Sequence, residues 1–90
     1  MAELYLEHGP LRIRALREGA AAGDADQIER AAHTLKSSAG NLGAVRLQRL
    51  AEGLEAAAAA GVIDRDAIER TVHEYEESAA ALRSMLEGIE

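Results

Sequence analysis

Apolar residues recur along this chain at steps of three and four, and its few β-branched residues never run in alternation. That pattern predicts helices and gives strands no support. Four helical segments emerge. The first covers about 4–22, with Leu6, Ile13, Leu16 and Ala20 on one face. A break is expected in it at Gly9-Pro10, because proline lacks an N–H and clashes with the preceding turn. A frayed turn followed by a helix starting at Pro10 is the expected form. Gly23 then closes the segment, and Asp24 is a suitable N-cap for the next. The second segment covers about 25–42 and turns Ile28, Ala31, Ala32, Leu35, Ala39 and Leu42 to the core, with Gly43 placed as a left-handed C-cap. The third covers about 44–60, burying Leu47, Leu50, Ala51, Leu54 and Ala58 before Gly61. Asp64 or Asp66 caps the fourth, over about 64–88. There Ile68, Val72, Tyr75, Ala79, Leu82, Leu86 and Ile89 form the cleanest periodic stripe in the chain.

Short connections make consecutive helices antiparallel neighbours, so the expected fold is all-α, an up-down antiparallel four-helix bundle formed as one domain by residues 1–90. Composition narrows this further. Two Tyr and no Trp or Phe leave Leu, Ile, Val and Ala to pack the core, which suits helices at close range. Without Cys there is neither a disulfide framework nor thiolate zinc ligation, and the chain fits a reducing cytoplasm. No apolar run approaches the roughly 18–20 residues of a membrane span. A net charge of −6 without a basic patch argues against nucleic acid.

The second helix carries the candidate chemistry. At about 100° per residue, His33 points roughly 150° away from the centre of the apolar face, toward solvent. Lys36, Ser37 and Gly40 share that outward strip. A neutral imidazole is a competent nucleophile near pH 7. Phosphoryl transfer asks a protein mainly for positioning and charge neutralisation, and Lys36 offers a positive charge beside such a group. An exposed His-x-x-Lys also occurs by chance on helices with no such role. Folding the hairpin about Gly43 brings residues 53–55 level with His33. Glu55, on the flank of the third helix's apolar face, is then within reach of the imidazole, where a carboxylate would fix the ring tautomer. A solvated surface glutamate is an equal alternative at that position.

The stretch A-H-T-L-K-S-S-A-G-N-L-G-A, Ala32 to Ala44, resembles the signature of histidine-containing phosphotransfer (HPt) domains, H-x-x-K-G followed by a second glycine near the helix end. The flanking A-A-G-D-A-D-Q-I-E-R-A and L-Q-R-L-A-E-G-L-E extend the similarity over roughly residues 13–61. The resemblance implies that His33 is the phosphorylated residue and Lys36 its electrostatic partner. It also implies that Gly43 is the structural glycine and Glu55 the polar neighbour across the hairpin, a position often held by Gln in the family. One departure is Ser37, where the family usually has glycine. It is small enough to leave a receiver domain access, as is Gly40.

What the resemblance implies is a phosphorelay carrier rather than an enzyme with its own turnover. It would take a phosphoryl group from a receiver-domain phosphoaspartate onto His33 and pass it to another receiver. Its partners would be response-regulator receiver domains and a hybrid histidine kinase. No cofactor is expected in the chain itself, Mg2+ belonging to the receiver. A monomer is expected, with docking over exposed Leu11 and nearby parts of the first two helices. Two rivals remain. One is the phosphoacceptor domain of a chemotaxis-type kinase, although those more often show an aromatic before the glycine where this chain has Leu42. The other is a helical interaction or dimerisation module using the stripe of the last helix as a seam. A metal site at His8 or His73 is disfavoured, since they lie on different helices with only glutamates such as Glu76 and Glu77 nearby. The Glu74, Glu76 and Glu77 run reads as a solvated face.

Overall fold

The structure is a computed structural model that describes residues 2–88. Its four helices are α1 (Ala2–Ala22), α2 (Ala25–Leu42), α3 (Val45–Ala59) and α4 (Arg65–Glu87), and no strand occurs among the described residues. Each helix packs on its neighbour in sequence, and α1 closes the ring against α4. The result is an up-down four-helix bundle, a rod of 45 × 20 × 19 Å.

All three turns use one device. At the end of α2, Gly43 adopts φ +74° and its N–H reaches the Gly40 carbonyl, while the Ala44 N–H reaches Ala39 O at 2.8 Å. This double bond satisfies carbonyls that the helix end leaves without donors. Gly23 and Gly61 do the same after α1 and α3. The helix starts are held by aspartates: Asp24 accepts from Gln27 N, and Asp64, rather than Asp66, accepts from Ala67 N.

Leu16, Ile28, Leu35, Leu47, Leu54 and Val72 are fully buried, and alanines 31, 32, 39, 51, 58 and 79 fill the seams between them. Leu6, Ile13, Ala20, Leu42 and Leu82 pack on the margin of this core, and Leu50 is half-buried. Ile68, Val72, Tyr75 and Ala79 of the α4 stripe face the bundle's own interior, whereas Leu86 is exposed and Ile89 lies outside the described residues.

The expected break at Gly9-Pro10 is absent: α1 runs unbroken through Pro10. Tertiary contacts override the local preference. Gly9 is buried against the hydroxyl end of Tyr75, in space that a β-carbon would occupy. Tyr5, also buried, packs its ring on Tyr75 with centroids 5.1 Å apart. The Tyr75 hydroxyl donates to the Tyr5 carbonyl at 3.0 Å, and Ser78 Oγ donates to Tyr75 O. Ser78 has then spent its only proton, so the Tyr5 hydroxyl is the donor in its bond to Ser78 Oγ. This circuit clamps the first turns of α1 onto α4 and holds helical the segment that proline would otherwise release.

Candidate functional site

The α2–α3 pair has the most extensive contact in the bundle, and it positions the candidate residues. Burying Ile28, Ala32, Leu35 and Ala39 of α2 fixes that helix's rotation and leaves His33 outside, its side chain 61% exposed. Burying Leu47, Ala51, Leu54 and Ala58 likewise turns Glu55 to the α2 flank of α3. Glu55 Oε2 stands 2.7 Å from His33 Nδ1, and Glu55 Oε1 stands 2.6 Å from Lys36 Nζ. One carboxylate therefore bridges both candidates from the partner helix.

The bridge has consequences for protonation. The Lys36 ammonium, through its hydrogen bond, is the main cause holding the Glu55 carboxyl below its ordinary range, with His33 contributing further. In the same way Glu55 raises the Lys36 ammonium above its usual value, and the charge of Glu52 adds to this. An ionised carboxylate only accepts hydrogen bonds, so the imidazole donates from Nδ1. In the neutral ring the lone pair then lies on Nε2, on an exposed side chain.

Ser37 is exposed on the same strip. Gly40 is exposed too, but the direction a side chain would take points at the Gln48 amide, 3.0 Å from an ideal β-carbon. A side chain there would meet the far end of the flexible Gln48 side chain across the α2–α3 seam. Gly43 ends α2 as described, with open space around it. Leu11 is 56% exposed on α1. His73 stands 3.6 Å from Glu77 on the outer face of α4, while His8 borders the α1–α2 cleft. Among the described residues, no group of three or more His, Cys, Asp or Glu is placed to hold a metal ion, and no helix is long and apolar enough to cross a membrane.

The sequence pattern did not single out that α1–α2 cleft, where Arg12 faces Thr34, Ser38 and Asn41. Its signal was present as a polar stripe at positions 34, 38 and 41, one turn apart on the margin of α2's apolar face.

A family model described as the Hpt domain matches residues 1–90, the whole chain. Neither the curated proteins nor the solved structures gave a match.

Proposed function

Because the chain belongs to the Hpt domain family, which performs histidine phosphotransfer in two-component systems as a phosphocarrier, we propose that His33 is the carrier residue and that its donor is a receiver-domain phosphoaspartate. The observation that carries this reading is the 2.7 Å contact from His33 Nδ1 to Glu55, which leaves Nε2 as an exposed nucleophile.

In the forward step the Nε2 lone pair attacks phosphorus in line with the aspartyl oxygen. The N–P bond forms as the acyl P–O bond breaks, and the aspartate leaves as a carboxylate. The ring keeps its Nδ1 proton and gains positive charge, which the Glu55 carboxylate at Nδ1 offsets. Lys36 uses one proton on Glu55 and has two left for the phosphoryl oxygens, within reach of a flexible stem. The second step reverses the first: an aspartate of another receiver attacks phosphorus, and Nε2 recovers its lone pair. Mg2+ is assigned to the receiver's acidic pocket, and a hybrid kinase to the head of the relay. The rotation of α2 that exposes His33 leaves Ser37 and the α1 face, including Leu11, free for the receiver to cover.

One observation favours a second reading, acceptance from the catalytic domain of a chemotaxis-type kinase. Position 55 holds a carboxylate where Gln is frequent, and a full negative charge at Nδ1 makes Nε2 the stronger nucleophile. That matters more for ATP, whose γ-phosphoryl group is less activated than an acyl phosphate.

The test is transfer of labelled phosphoryl from a panel of phosphorylated receivers to the wild type and to His33→Gln, with an ATP-charged kinase domain as the second donor. Acid-labile, base-stable label on the wild type alone establishes the phosphohistidine, and the donor that succeeds separates the two readings. A folded helical protein that takes label from neither donor overturns both.

A further inference from the structure

His33 is flanked on two sides. On the α2 wheel, Lys36 lies roughly 60° to one side, toward α3, whereas Thr34, Ser38 and Asn41 lie roughly 80–140° to the other, toward α1. On that second side the α1–α2 cleft opens, about 230 Å³ in volume. Arg12 and His8 line it from α1, and Thr34, Ser38 and Asn41 from α2. No acidic side chain among the described residues lines it, in a chain whose net charge is −6. Arg12, which lines the cleft, has its Nε buried without a hydrogen-bond partner among the described residues. Thr34 Oγ1 is already committed to the Arg30 carbonyl.

A buried guanidinium N–H without an acceptor is rare in folded proteins and calls for a partner. The cleft offers one fixed positive charge, with hydroxyl and amide groups beside it. A single guanidinium matches a monoanion in charge, and its planar edge matches a planar oxyanion in shape. We propose that this cleft binds a carboxylate, supplied by an acidic side chain of the docked receiver; that choice of source rests on His33 being the transfer site. Arg12 is then a positioning residue. It grips the receiver beside the histidine and takes no part in moving the phosphoryl group.

The test begins without any partner. The full chain, labelled with 15N, is titrated with sodium acetate against sodium chloride at equal ionic strength, following the Arg12 Nε–Hε resonance. A saturable shift of that resonance, with the Ser38 and Asn41 amides moving alongside it, is expected at roughly tens of millimolar acetate. The acetate response of the Ser38 and Asn41 amides persists in His33→Gln and disappears in Arg12→Lys, whose circular dichroism and melting are checked against the wild type. An Arg12 Hε that responds no more to acetate than to chloride overturns the proposal. Receiver transfer then identifies the source. If the carboxylate is the receiver's, Arg12→Lys raises the receiver concentration for half-maximal transfer rate about tenfold with the maximal single-transfer rate unchanged, and acetate competes only in the wild type. Acetate binding with transfer indifferent to both changes overturns the assignment to the receiver and makes the occupant a free carboxylate. Because the acetate shift does not need His33, its failure and the failure of the carrier reading are distinguishable.

Discussion

Glu55 bridges His33 and Lys36, and in the carrier role proposed for His33 its two hydrogen bonds make separate demands. The bond to Nδ1 sets the tautomer; the bond to Lys36 keeps the carboxylate ionised. Since the folded chain lowers the pKa of Glu55, the stabilisation from these bonds is fully present above the ordinary glutamate value. It is lost as pH falls through the lowered one. A 13C titration of the Glu55 carboxyl should therefore give a midpoint below that of an exposed glutamate, and Lys36→Met should move it back up. Removing the partner altogether, Glu55→Ala, should slow phosphotransfer roughly 10–100-fold, as loss of an orienting partner on a ring nitrogen does elsewhere. The fold should be unaffected, as judged by circular dichroism. His33, Lys36 and Ser37 were legible as an outward strip because helical rotation follows from the apolar residues alone. The contact with Glu55 was only half legible. Counting outward from Gly43 gave its level along the hairpin, but whether the side chain reached across depended on the angle of α3. Gly40 was read as an opening for a partner. It is exposed, and its closeness to the Gln48 amide depends on how α3 lies against α2, which one sequence does not give.

Among the helices, α1 departs furthest from local rules. Gly9-Pro10 reads as a terminator, and the three glycines that do end helices (Gly23, Gly43 and Gly61) are followed by no proline. The difference lies in long-range contacts. A glycine at position 9 admits the Tyr75 ring, and the Tyr5, Ser78 and Tyr75 bonds, more than seventy residues apart in sequence at their widest, hold the preceding turns in place. Neither tyrosine announces this in sequence, since Tyr5 sits before the apparent breaker. Opposite effects follow at adjacent positions. Pro10 is exposed and leaves the Leu6 carbonyl without its helical donor, so Pro10→Ala should stabilise the protein by about 1–3 kcal/mol. Gly9→Ala also raises helix propensity, by about 1 kcal/mol. It drives a methyl group into Tyr75, however, and overpacking of about 1–3 kcal/mol should outweigh that gain. Urea denaturation of the two variants should move the midpoint in opposite directions. If both move it upward, Tyr75 is not held as described.

Over the whole molecule, the rod keeps its buried core and the exposed His33 strip on different surfaces of the same helices. The bundle itself was legible because all three turns and two of the helix caps are written locally, in Gly23, Gly43, Gly61, Asp24 and Asp64. The apolar period of α4 was equally plain, and its Val72, Tyr75 and Ala79 are buried within this chain. Thr71, fully buried among them, escaped notice as a polar residue; its hydroxyl donates to Ala67 O and brings no unmet demand into the core. With alanines filling so much of the interior, few large side chains carry the packing, and each weighs heavily. Leu47 is completely buried beside the α2–α3 seam, so Leu47→Ala should cost about 2–5 kcal/mol, a large share of the roughly 5–15 kcal/mol that holds a small domain folded. His33→Gln should leave stability within about 0.5 kcal/mol of the wild type, since it removes an exposed ring. Phosphotransfer should respond the other way round. Leu47→Ala, assayed at low temperature where it remains folded, should still take label in proportion to its folded fraction, whereas fully folded His33→Gln should take none. Loss of transfer from folded Leu47→Ala would mean that the α2–α3 packing tunes the Glu55 bridge as well as supporting it, and the His33 to Glu55 geometry would then have to be treated as part of the core.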